Sequence, residues 1–548
     1  MYYQNMKTFI LKVQKAKILL AVGITATILA GCTNLDESPY TFTDPKNYYK
    51  NETELSSSLN SVYNGFRKMA SDYKYLMKIE CSTHLGQPSY TKENAHLINV
   101  WSDVNNASNS VSELWSRAYA TINRANIVLG RGEGVEMDQA AKERIFAQAR
   151  FLRGYAYFHL LRIYGGCPIP ESFTSEETAP SALNIPRKSV DEVYTYLIED
   201  LKYGIGKLPK KGEAGYDNWR VTEGACYAAL GEVYLYRASM NNNNEEYLTL
   251  SKEYSWKLID PASDGHKYEL VKPYRNLWYW FNADAKNGKE SIFELQFAPI
   301  QDQDCELHRQ FGINVTESNL GSYMYHRFGP STYAYLSYDD VDNRKDCFLT
   351  EYVESKTGNT IVFHPEDKGV WPGSHVGSVN GWPTSTPGNV KYYDRITDAS
   401  LQKPAPNFYI LRYSEVLLNY AEAANLLTPG QGVEQFNEVR ERAGLTPITG
   451  ISGQALDDAI FEERCKEFIG EGKVYFDALR TDRLGTLVNE FIKRGVLEKL
   501  YLFEPLQFAP KKGFLWKIPQ GDYDSNPALS GEQNPDNVSG PILEYAKP

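Results

Sequence analysis

The hydrophobic positions of the chain follow helical spacing over most of its length. From Met137 to Tyr164, apolar side chains recur every three or four residues, and toward the end of the segment they cover almost the whole circumference. A helix that is apolar nearly all round must be covered by other elements on every side. Gly165 and Gly166 then end the helix, and Pro168 and Pro170 prevent its return. The pattern therefore predicts a central helix within a largely helical body.

Segments of the same periodicity predict further helices on both sides, at Glu52–Ala70, Val111–Leu129, Val190–Leu208, Thr222–Ala238, Glu245–Ile259, Phe408–Leu427, Gly432–Ala443 and Ile451–Gly485. Within one of them, Leu230-Gly231-x-x-Tyr234 is typical of a tetratricopeptide repeat, in which a small glycine lets two helices approach closely. The helices predicted after Phe408 offer a second such pair. The two pairs can belong to one body only if the segment between them loops out.

That intervening segment has a different character. Gly, Pro, Asn and Asp occur throughout it, and Ser291–Phe297 alternates in the manner of a short strand. We interpret about 260–406 as a large irregular insertion of loops and short strands on a helical body of about 50–260 and 406–490. Residues 502–548 are interpreted as an irregular tail. Long irregular segments of folded proteins are usually functional.

Residues 1–31 have the layout of a signal peptide. Lysines precede the apolar run Ile18–Ala30, which is too short to span a bilayer. The run ends in Leu29-Ala30-Gly31-Cys32, which resembles the bacterial lipobox, where the signal is removed and the cysteine is acylated with chains such as palmitate. Several acyl chains on Cys32 would anchor the protein stably to a membrane. The alternative is a plain secretory signal followed by a chance cysteine.

Composition excludes some classes of function. The net charge of −11 argues against a nucleic-acid partner, which would require a basic patch. The six cysteines after Cys32 form no CxxC pair, so we expect no zinc or redox site and no cofactor. They are more typical of buried small hydrophobic residues, although an occasional disulfide or a structural calcium stays open.

Catalytic motifs are missing from the sequence as well. It contains no HExxH, GxSxG or P-loop. A glycosidase needs two carboxylates that flank the scissile bond, and such a pair can hide among 69 acidic residues. We therefore expect no enzyme, while the sequence alone does not exclude one.

Several motifs in order carry a family resemblance. They are Cys32-Thr-Asn-Leu-Asp, Trp115-x-x-Ala-Tyr119-x-x-Ile122-Asn-x-Ala125-Asn126, Ala149-Arg150-Phe-Leu-Arg153-x-Tyr-Ala-Tyr157 through Pro168, Leu411-Arg-Tyr-Ser-Glu415, Asn437-Glu-Val-Arg440, Glu462-Glu-Arg464-x-x-Glu467 through Arg480, and Ile518-Pro519-Gln. Together they make residues 32–548 resemble one domain of the SusD/RagB family of outer-membrane lipoproteins of the bacteroidetes. A departure is Lys473, which follows Gly472 where many members have His or Arg.

The resemblance implies an all-α, SusD-like fold with tetratricopeptide-like helical pairs and a variable ligand-binding insertion. It implies a lipoprotein of the outer membrane, facing the cell surface, that captures an oligosaccharide for a SusC-like TonB-dependent transporter and breaks no bond. The alternative is a helical-repeat scaffold that docks on the transporter or binds a peptide, with little affinity for glycans.

Candidate glycan contacts come from two regions. Aromatic residues are dense between Tyr268 and Tyr338, and exposed rings beside amides are what a sugar requires; the candidates there are Trp278, Trp280, Tyr323 and Tyr325. The resemblance to starch-binding relatives adds Trp101 and Asn106, ahead of the helix that contains Trp115. In the alternative interpretation these rings pack the insertion onto the helices, or Trp101 is wedged beneath the following helix.

The charged residues of the family motifs are interpreted as structural. Arg150, Arg153 and Arg162, together with Glu462, Glu463, Arg464, Glu467 and Glu471, lie on helices that are otherwise apolar. Buried charges need partners, and arginine can bind a carboxylate through two parallel hydrogen bonds. His84, in the loose stretch before Trp101, is expected at the surface.

Overall fold

The computed structural model describes residues 48–88, 111–174, 184–262, 267–278, 285–300, 302–312, 326–353, 360–364, 374–376, 387–389, 391, 405–488 and 511–535. The chain divides into two compact units, residues 1–50 and residues 51–548. The described part of the first unit, residues 48–50, contains no helix or strand. Every element below belongs to the second unit.

Helices dominate this unit, as the periodicity predicts. In chain order they are α1 (Glu52–Ala70), α2 (Tyr73–Cys81), α3 (Ser112–Gly132), α4 (Gln139–Tyr164), α5 (Val190–Lys202), α6 (Glu223–Met240), α7 (Glu245–Ile259), α8 (Glu306–Phe311), α9 (Thr332–Leu336), α10 (Tyr413–Leu427), α11 (Val433–Arg442), α12 (Gly453–Phe468), α13 (Val474–Arg480) and α14 (Gln520–Ser525). Short 3₁₀ turns occupy Tyr274–Leu277, Asn343–Cys347 and Pro527–Leu529.

The central helix predicted from the sequence is α4. From Ile145 to Tyr164 all of its residues except Arg150 are buried. It packs against α1, α3, α5 and α6, which supply the cover that its apolar circumference requires. Gly165 ends the helix with φ +78°, in the left-handed region that glycine tolerates. A Cβ at Gly166 would lie 2.1 Å from the Lys188 carbonyl oxygen, so that position also requires glycine.

The two predicted helical pairs pack together despite their separation in sequence. In the first pair, Gly231 of α6 faces α7, where the Ser251 hydroxyl donates a 2.8 Å hydrogen bond to its carbonyl oxygen. A Cβ at Gly231 would lie 2.7 Å from Ser255 Oγ, so the glycine does permit close packing. Helix α10 of the second pair packs on both α6 and α7, and Ala423 joins Leu235 and Leu248 in one core cluster.

Nine short strands accompany the helices: β1 (Gly86–Pro88), β2 (Ser291–Leu295), β3 (Phe328–Pro330), β4 (Phe348–Leu349), β5 (Glu351–Val353), β6 (Thr360–His364), β7 (Ser374–Val376), β8 (Gly388–Asn389) and β9 (Phe408–Arg412) among the described residues. They form four antiparallel sheets, β1–β3, β2–β9, β4–β8 and the three-stranded β5–β6–β7. The predicted strand at Ser291 is confirmed, and all five of its residues are buried.

Three predicted helix bounds are wrong. Phe408–Arg412 is strand β9, and helix α10 begins only at Tyr413, because the segment pairs with β2. The helix expected over Ile451–Gly485 is divided into α12 and α13, since Gly470 and Gly472 between them adopt φ +80° and +74°. Helix α5 ends at Lys202 rather than Leu208. Helix α2, with its buried Tyr75 and Ile79, was not predicted at all.

The irregular tail packs on the central helix. Trp516 is fully buried, and its backbone N–H donates to the Ile163 carbonyl oxygen at 2.9 Å. Asn534 donates from Nδ2 to the carbonyl oxygens of Tyr164 and Trp516. All six cysteines after Cys32 are buried free thiols, which confirms their interpretation as small hydrophobic residues. No helix among the described residues is long and apolar enough to cross a membrane.

Candidate functional site

The candidate glycan contacts lie mostly in segments of the chain that the described ranges leave out. Cys32, Trp101, Asn106, Trp280, Tyr323 and Tyr325 all lie outside the described residues, and Trp278 is the one candidate within them. The structure does describe the residues on which these segments begin and end. The positions of those ends determine which of the candidates can serve one site.

Two of these segments join the described structure at the same place, the end of the ladder that strands β1 and β3 form. In their antiparallel ladder Gly86 faces Pro330, Gln87 faces Gly329 and Pro88 faces Phe328. The segment that contains Trp101 and Asn106 departs after Pro88, and the segment that contains Tyr323 and Tyr325 arrives just before Phe328. Both segments therefore join the same end of one ladder, although they are more than 200 positions apart in the sequence.

The segment with Tyr323 and Tyr325 is also closed at its base. The His326 backbone N–H donates to the Gly312 carbonyl oxygen at 3.1 Å, and that of Arg327 donates to the Gln310 carbonyl oxygen at 2.7 Å. Its two ends thus meet, and helix α8 holds one of them against β3. A further hydrogen bond joins the chain at the other end of this ladder, where the Ser331 hydroxyl donates to the His84 carbonyl oxygen at 2.7 Å.

A single tyrosine closes the loop that contains Trp280. The hydroxyl of Tyr409, on strand β9, lies 3.4 Å from the Leu277 carbonyl oxygen and 3.5 Å from that of Ala285. These two residues flank the ends of that loop. Tyr409 is buried, and burial raises the pKa of its hydroxyl well above the ordinary value, so the hydroxyl remains a donor.

Trp278 differs from the exposed platform that the aromatic density predicts. Its side chain is 8% exposed. Its ring packs edge-on against Tyr274 and Tyr409, at centroid distances of 6.0 and 5.5 Å, and the Lys391 ammonium lies 4.7 Å from the ring centroid. Tyr274, Phe328 and Tyr338 of the same aromatic region are buried too. For these rings the packing interpretation is correct, and Trp278 is not a candidate contact.

A buried charge network lies beneath the Trp278 cluster. Its carboxylates are Glu290, Asp342, Glu463, Glu467 and Glu471, and its cations are Arg344, Lys391, Arg412, Arg440 and Arg442. Five acids thus meet five bases, and all but the half-buried Arg440 are almost fully inaccessible to water. Charges at this depth are tolerated only when they are paired and hydrogen-bonded.

Glu467 is the centre of this network. It accepts from Arg412 at 2.5 Å, from Arg344 at 3.0 Å and from Arg442. Burial alone would raise the pKa of Glu467, but the guanidinium groups of Arg442, Arg412 and Arg344 together hold it well below its usual range. The carboxylate is therefore permanently ionised and has no proton to exchange with a ligand.

The network joins the insertion to the helical body. Glu290, Arg344 and Lys391 belong to the insertion, whereas Glu467 and Arg412 belong to the body. Arg412 reaches Glu290 at 2.9 Å, and Lys391 reaches Glu471 of the body at 2.7 Å while it covers Trp278. Strand β8, close to Lys391 in sequence, packs on β3. The loop bases are thus held on the helices by ion pairs.

The other charged residues of the family motifs are structural, as the sequence predicts. Arg153 bonds both Asp200 oxygens at 2.7 Å, and Arg162 reaches Glu232 at 2.9 Å. Glu462 differs from its neighbours because it is exposed. Lys473, the departure from the family pattern, is buried and donates to Glu415 at 2.7 Å and to the Ile410 carbonyl oxygen at 2.8 Å. A cation is therefore accommodated there as part of the scaffold.

His84 was wrongly expected at the surface. It is 5% exposed, its ring packs against Tyr333, and burial lowers its pKa to about 4. Its segment is covered because α2, which the sequence did not reveal, leads directly into β1. His308 and His326 are buried beside the loop bases as well, with pKa values lowered by burial to about 3 and about 4. The described residues contain no cluster of His, Cys, Asp and Glu with the arrangement of a metal site.

Four residues of the network were missed at the level of sequence. They lie in the irregular segment, where no periodicity marks a buried position, and they are Glu290, Asp342, Arg344 and Lys391. Three of them pair with residues of the helical body far along the chain, so no local pattern could have identified the network.

Comparisons with known proteins agree with the motifs. The model of the SusD family matches residues 289–536, and a second family model, described as starch-binding associating with outer membrane, matches residues 35–235. A SusD-like protein of Bacteroides ovatus is 26% identical over 479 residues, which cover 84% of this chain and 81% of that protein.

Solved structures show the same fold. A SusD homologue from Bacteroides thetaiotaomicron superposes with a TM-score of 0.70 at 22% identity, covering 90% of this chain and 98% of the other. A laminarin-binding SusD-like protein superposes with a TM-score of 0.68 at 22% identity, covering 87% and 98%. The mostly helical fold predicted from the sequence is confirmed.

Proposed function

The chain belongs to the SusD/RagB family, and on that premise we propose that it captures an oligosaccharide at the bacterial surface and delivers it to a SusC-like TonB-dependent transporter without catalysis. The observation that carries the proposal is the match of two family models, which together span most of residues 35–536. One of these models describes proteins that bind starch in association with the outer membrane.

The loop bases support a single capture site. Trp101 and Asn106 belong to one loop, Tyr323 and Tyr325 to another, and both loops join the same end of the β1–β3 ladder. We assign these four residues and Trp280 as the glycan contacts. An aromatic ring covers the C–H face of a sugar, and the Asn106 amide can donate to one hydroxyl while it accepts from another. Such contacts bind and release a sugar without any proton transfer.

The fixed ends of these loops suit the capture of a sugar. Loops that contact a ligand pay less ordering entropy when their ends are already fixed. Here the ends are held by the β1–β3 ladder, by the backbone bonds between Gly312 and His326, and by the Tyr409 hydroxyl. A buried charge network then pairs Glu290, Arg344 and Lys391 of the insertion with residues of the helical body.

Binding to a panel of oligosaccharides tests the capture site. The parent protein is titrated calorimetrically with starch, laminarin and xyloglucan fragments. Trp101→Ala should weaken binding of the preferred fragment by about tenfold or more while the thermal unfolding midpoint stays unchanged. Trp256→Ala is the matched control, because Trp256 is 37% exposed on α7, away from the loop bases. Equal binding by the parent and the Trp101 variant would refute that contact, and no binding to any glycan would contradict the capture function.

Turnover is measured in the same samples. We expect the product profile of the bound fragment to remain unchanged after long incubation. Shortened fragments that appear in proportion to the amount of protein would show that the chain is an enzyme.

The anchor and the partner are tested in cells. Cys32→Ala should move the protein from the membrane fraction to the soluble fraction, whereas Thr33→Ala should leave it in the membrane. The anchored protein should co-purify with a TonB-dependent transporter of the outer membrane. A Cys32 variant that stays fully membrane-bound in a strain lacking that transporter would contradict the lipid anchor.

A further inference from the structure

A solvent-open groove lies between α1, α4 and the loop that precedes α6, and its described lining contains none of the residues at the loop bases. We call it the Arg144 groove; its lining includes Glu52, Ser56, Arg144, Gln148, Asp217 and Arg220. Its volume is about 220 Å³. A cavity that holds a single water has a volume of only about 10–15 Å³ on the same scale, so the groove has room for a small organic ligand.

One wall of the groove is a prearranged polar framework. The Tyr63 hydroxyl donates to Gln148 Oε1 at 2.7 Å and accepts from the Val221 backbone N–H at 2.9 Å. Arg220 donates to the same Gln148 oxygen at 3.2 Å and to Asn60 Oδ1 at 3.1 Å. Its guanidinium carbon lies 4.0 Å from the centroid of the Trp219 ring, which supports it from behind. This wall is already ordered before any ligand arrives.

Other polar groups of the groove are still available. Among the described residues, the side chains of Arg144, Ser56 and Glu52 have no hydrogen bond or ion pair, and each is exposed or half-buried. They offer a charged donor, a hydroxyl and a carboxylate acceptor. Half-buried Pro209 adds C–H surface to the same lining, which Ile145 and Val221 support from within the core. The groove thus combines donors, acceptors and C–H surface within the size of one small ring.

The charges of the groove balance. Arg144 and Arg220 are offset by Glu52 and by Asp217, whose Oδ2 lies 3.8 Å from Arg220 Nε. An anion would approach two carboxylates, and a cation would approach two guanidinium groups. A neutral ligand with several hydroxyls, each both donor and acceptor, matches such a mixed lining without an unpaired charge.

We propose that the Arg144 groove is a second saccharide site, which binds one ring of a neutral sugar. None of the described residues that line the groove adjoins the segments that contain Trp101, Trp280 and Tyr323. A single ring makes few contacts, so we expect a dissociation constant on the order of 1 mM. Such a site would hold a branch or an end of a longer glycan while the loops hold its main chain.

Ligand-observed NMR titration of the full-length protein tests this proposal. The protein is purified in a detergent without a sugar headgroup and carries Trp101→Ala, which removes the proposed loop contact. The probes are D-glucose, D-galactose and D-xylose, with D-glucuronate and inorganic phosphate as anionic comparisons. At least one neutral sugar should bind, and Ser56→Trp, which fills the groove, should abolish its signal.

Two further variants, both on helix α4, test which residues of the groove contact the sugar. Arg144→Ala should weaken the neutral sugar about 2- to 10-fold, the effect of one lost hydrogen bond. Lys142→Ala is the matched control, because its ammonium donates to the Glu133 carbonyl oxygen at 3.1 Å and does not line the groove. The affinity of the Lys142→Ala protein for the neutral sugar should stay within about twofold of that of the parent.

Three results would overturn the proposal: no binding of any neutral sugar, binding that Ser56→Trp and Arg144→Ala leave unchanged, or a preference for glucuronate or phosphate. The unfolding midpoint of each variant is measured first, so that a folding defect is recognised as such. Oligosaccharide capture by the loops is measured separately in the protein with Trp101 intact. Failure of the groove and failure of the capture function are therefore distinguishable.

Discussion

Trp278 and Trp219 each pack beside a tyrosine and beneath a cation, yet one cluster is buried and the other borders a groove. Trp278 contacts Tyr274, and the Lys391 ammonium lies 4.7 Å from its ring centroid. Trp219 contacts Tyr63, and Arg220 lies 4.0 Å from its ring centroid. The partners of the two cations differ: Lys391 is paired with the buried Glu471, whereas Arg220 bonds neutral amides and has half-exposed Asp217 nearby.

This difference shows why the number of aromatic residues is a poor guide to a binding surface. A cation can be buried only if carboxylates are buried with it, and such a network closes the space around the ring. A cation held by neutral groups can stay partly solvated and leaves room beside it. The charged neighbours of a tryptophan cluster therefore indicate whether it is core or surface, and they are Glu471 at one site and Asp217 at the other.

The largest effect is expected at Glu467. Glu467→Ala would leave Arg344, Arg412 and Arg442 without their shared partner, so the free energy of unfolding should fall by about 5 kcal/mol, the upper end of the range for breaking a buried ion pair. Urea denaturation measures the loss. Glu462→Ala, on the same helix but exposed, should change stability by less than about 0.5 kcal/mol. If the two variants are equally stable, the network does not hold the insertion on the body.

Trp278→Ala should have the next largest effect. The substitution leaves a cavity between Tyr274, Tyr409 and Lys391, and a buried tryptophan replaced by alanine costs about 3–5 kcal/mol. Thermal and urea unfolding should both show the loss. Trp278→Phe, which retains a ring, should lose less. A Trp278→Ala protein with parental stability and weaker glycan binding would instead restore Trp278 as a ligand contact.

The helices and strands show which features of the fold the sequence could predict. The helices α1 and α7 were predicted to the residue, because their apolar faces repeat locally. Strand β9 was mistaken for helix because Phe408–Leu411 is continuously apolar and the partner strand β2 lies more than 110 positions earlier. Short apolar runs of this kind do not distinguish a strand from a buried helix.

The same limit applies to the candidate site. The density of rings between Tyr268 and Tyr338 led to Trp278 as a candidate contact, whereas Trp219, which lies outside that region, was not a candidate. No local pattern could have shown that Glu467 meets Arg344, because their contact spans 123 positions. Pairings of this range are determined by the tertiary fold.

Glu294 should change the stability of the protein by an intermediate amount, and this change should depend on pH. This carboxyl lies near the loop base, accepts from Asn407 Nδ2 at 2.9 Å, and has a pKa raised by burial to about 7. The pKa of Glu294 is higher in the folded protein than in the unfolded chain. Its contribution to the free energy of unfolding is therefore fully present below about pH 4.5 and is lost as the pH rises through about 7. The loss amounts to about 3 kcal/mol at most.

Glu294→Gln removes this titration. Relative to the variant, the parent should lose stability between about pH 4.5 and pH 8, as measured by urea denaturation across that range. Glu441→Gln, an exposed carboxyl of α11, is the control and should leave the slope unchanged. Parallel pH profiles for the parent and the Glu294 variant would show that the carboxyl is ionised in the folded protein.

The smallest effect is expected at Trp219, and it completes the comparison. Trp219→Ala removes the ring beneath Arg220, but Arg220 keeps its hydrogen bonds to Gln148 and Asn60. A partly exposed cation–π contact contributes about 1 kcal/mol, so urea denaturation should show a loss of that size. Trp219→Phe, which keeps an aromatic face, should recover most of it. A loss as large as that of Trp278→Ala would show that the Trp219 ring is core, and the contrast between a buried and an open tryptophan cluster would then be wrong.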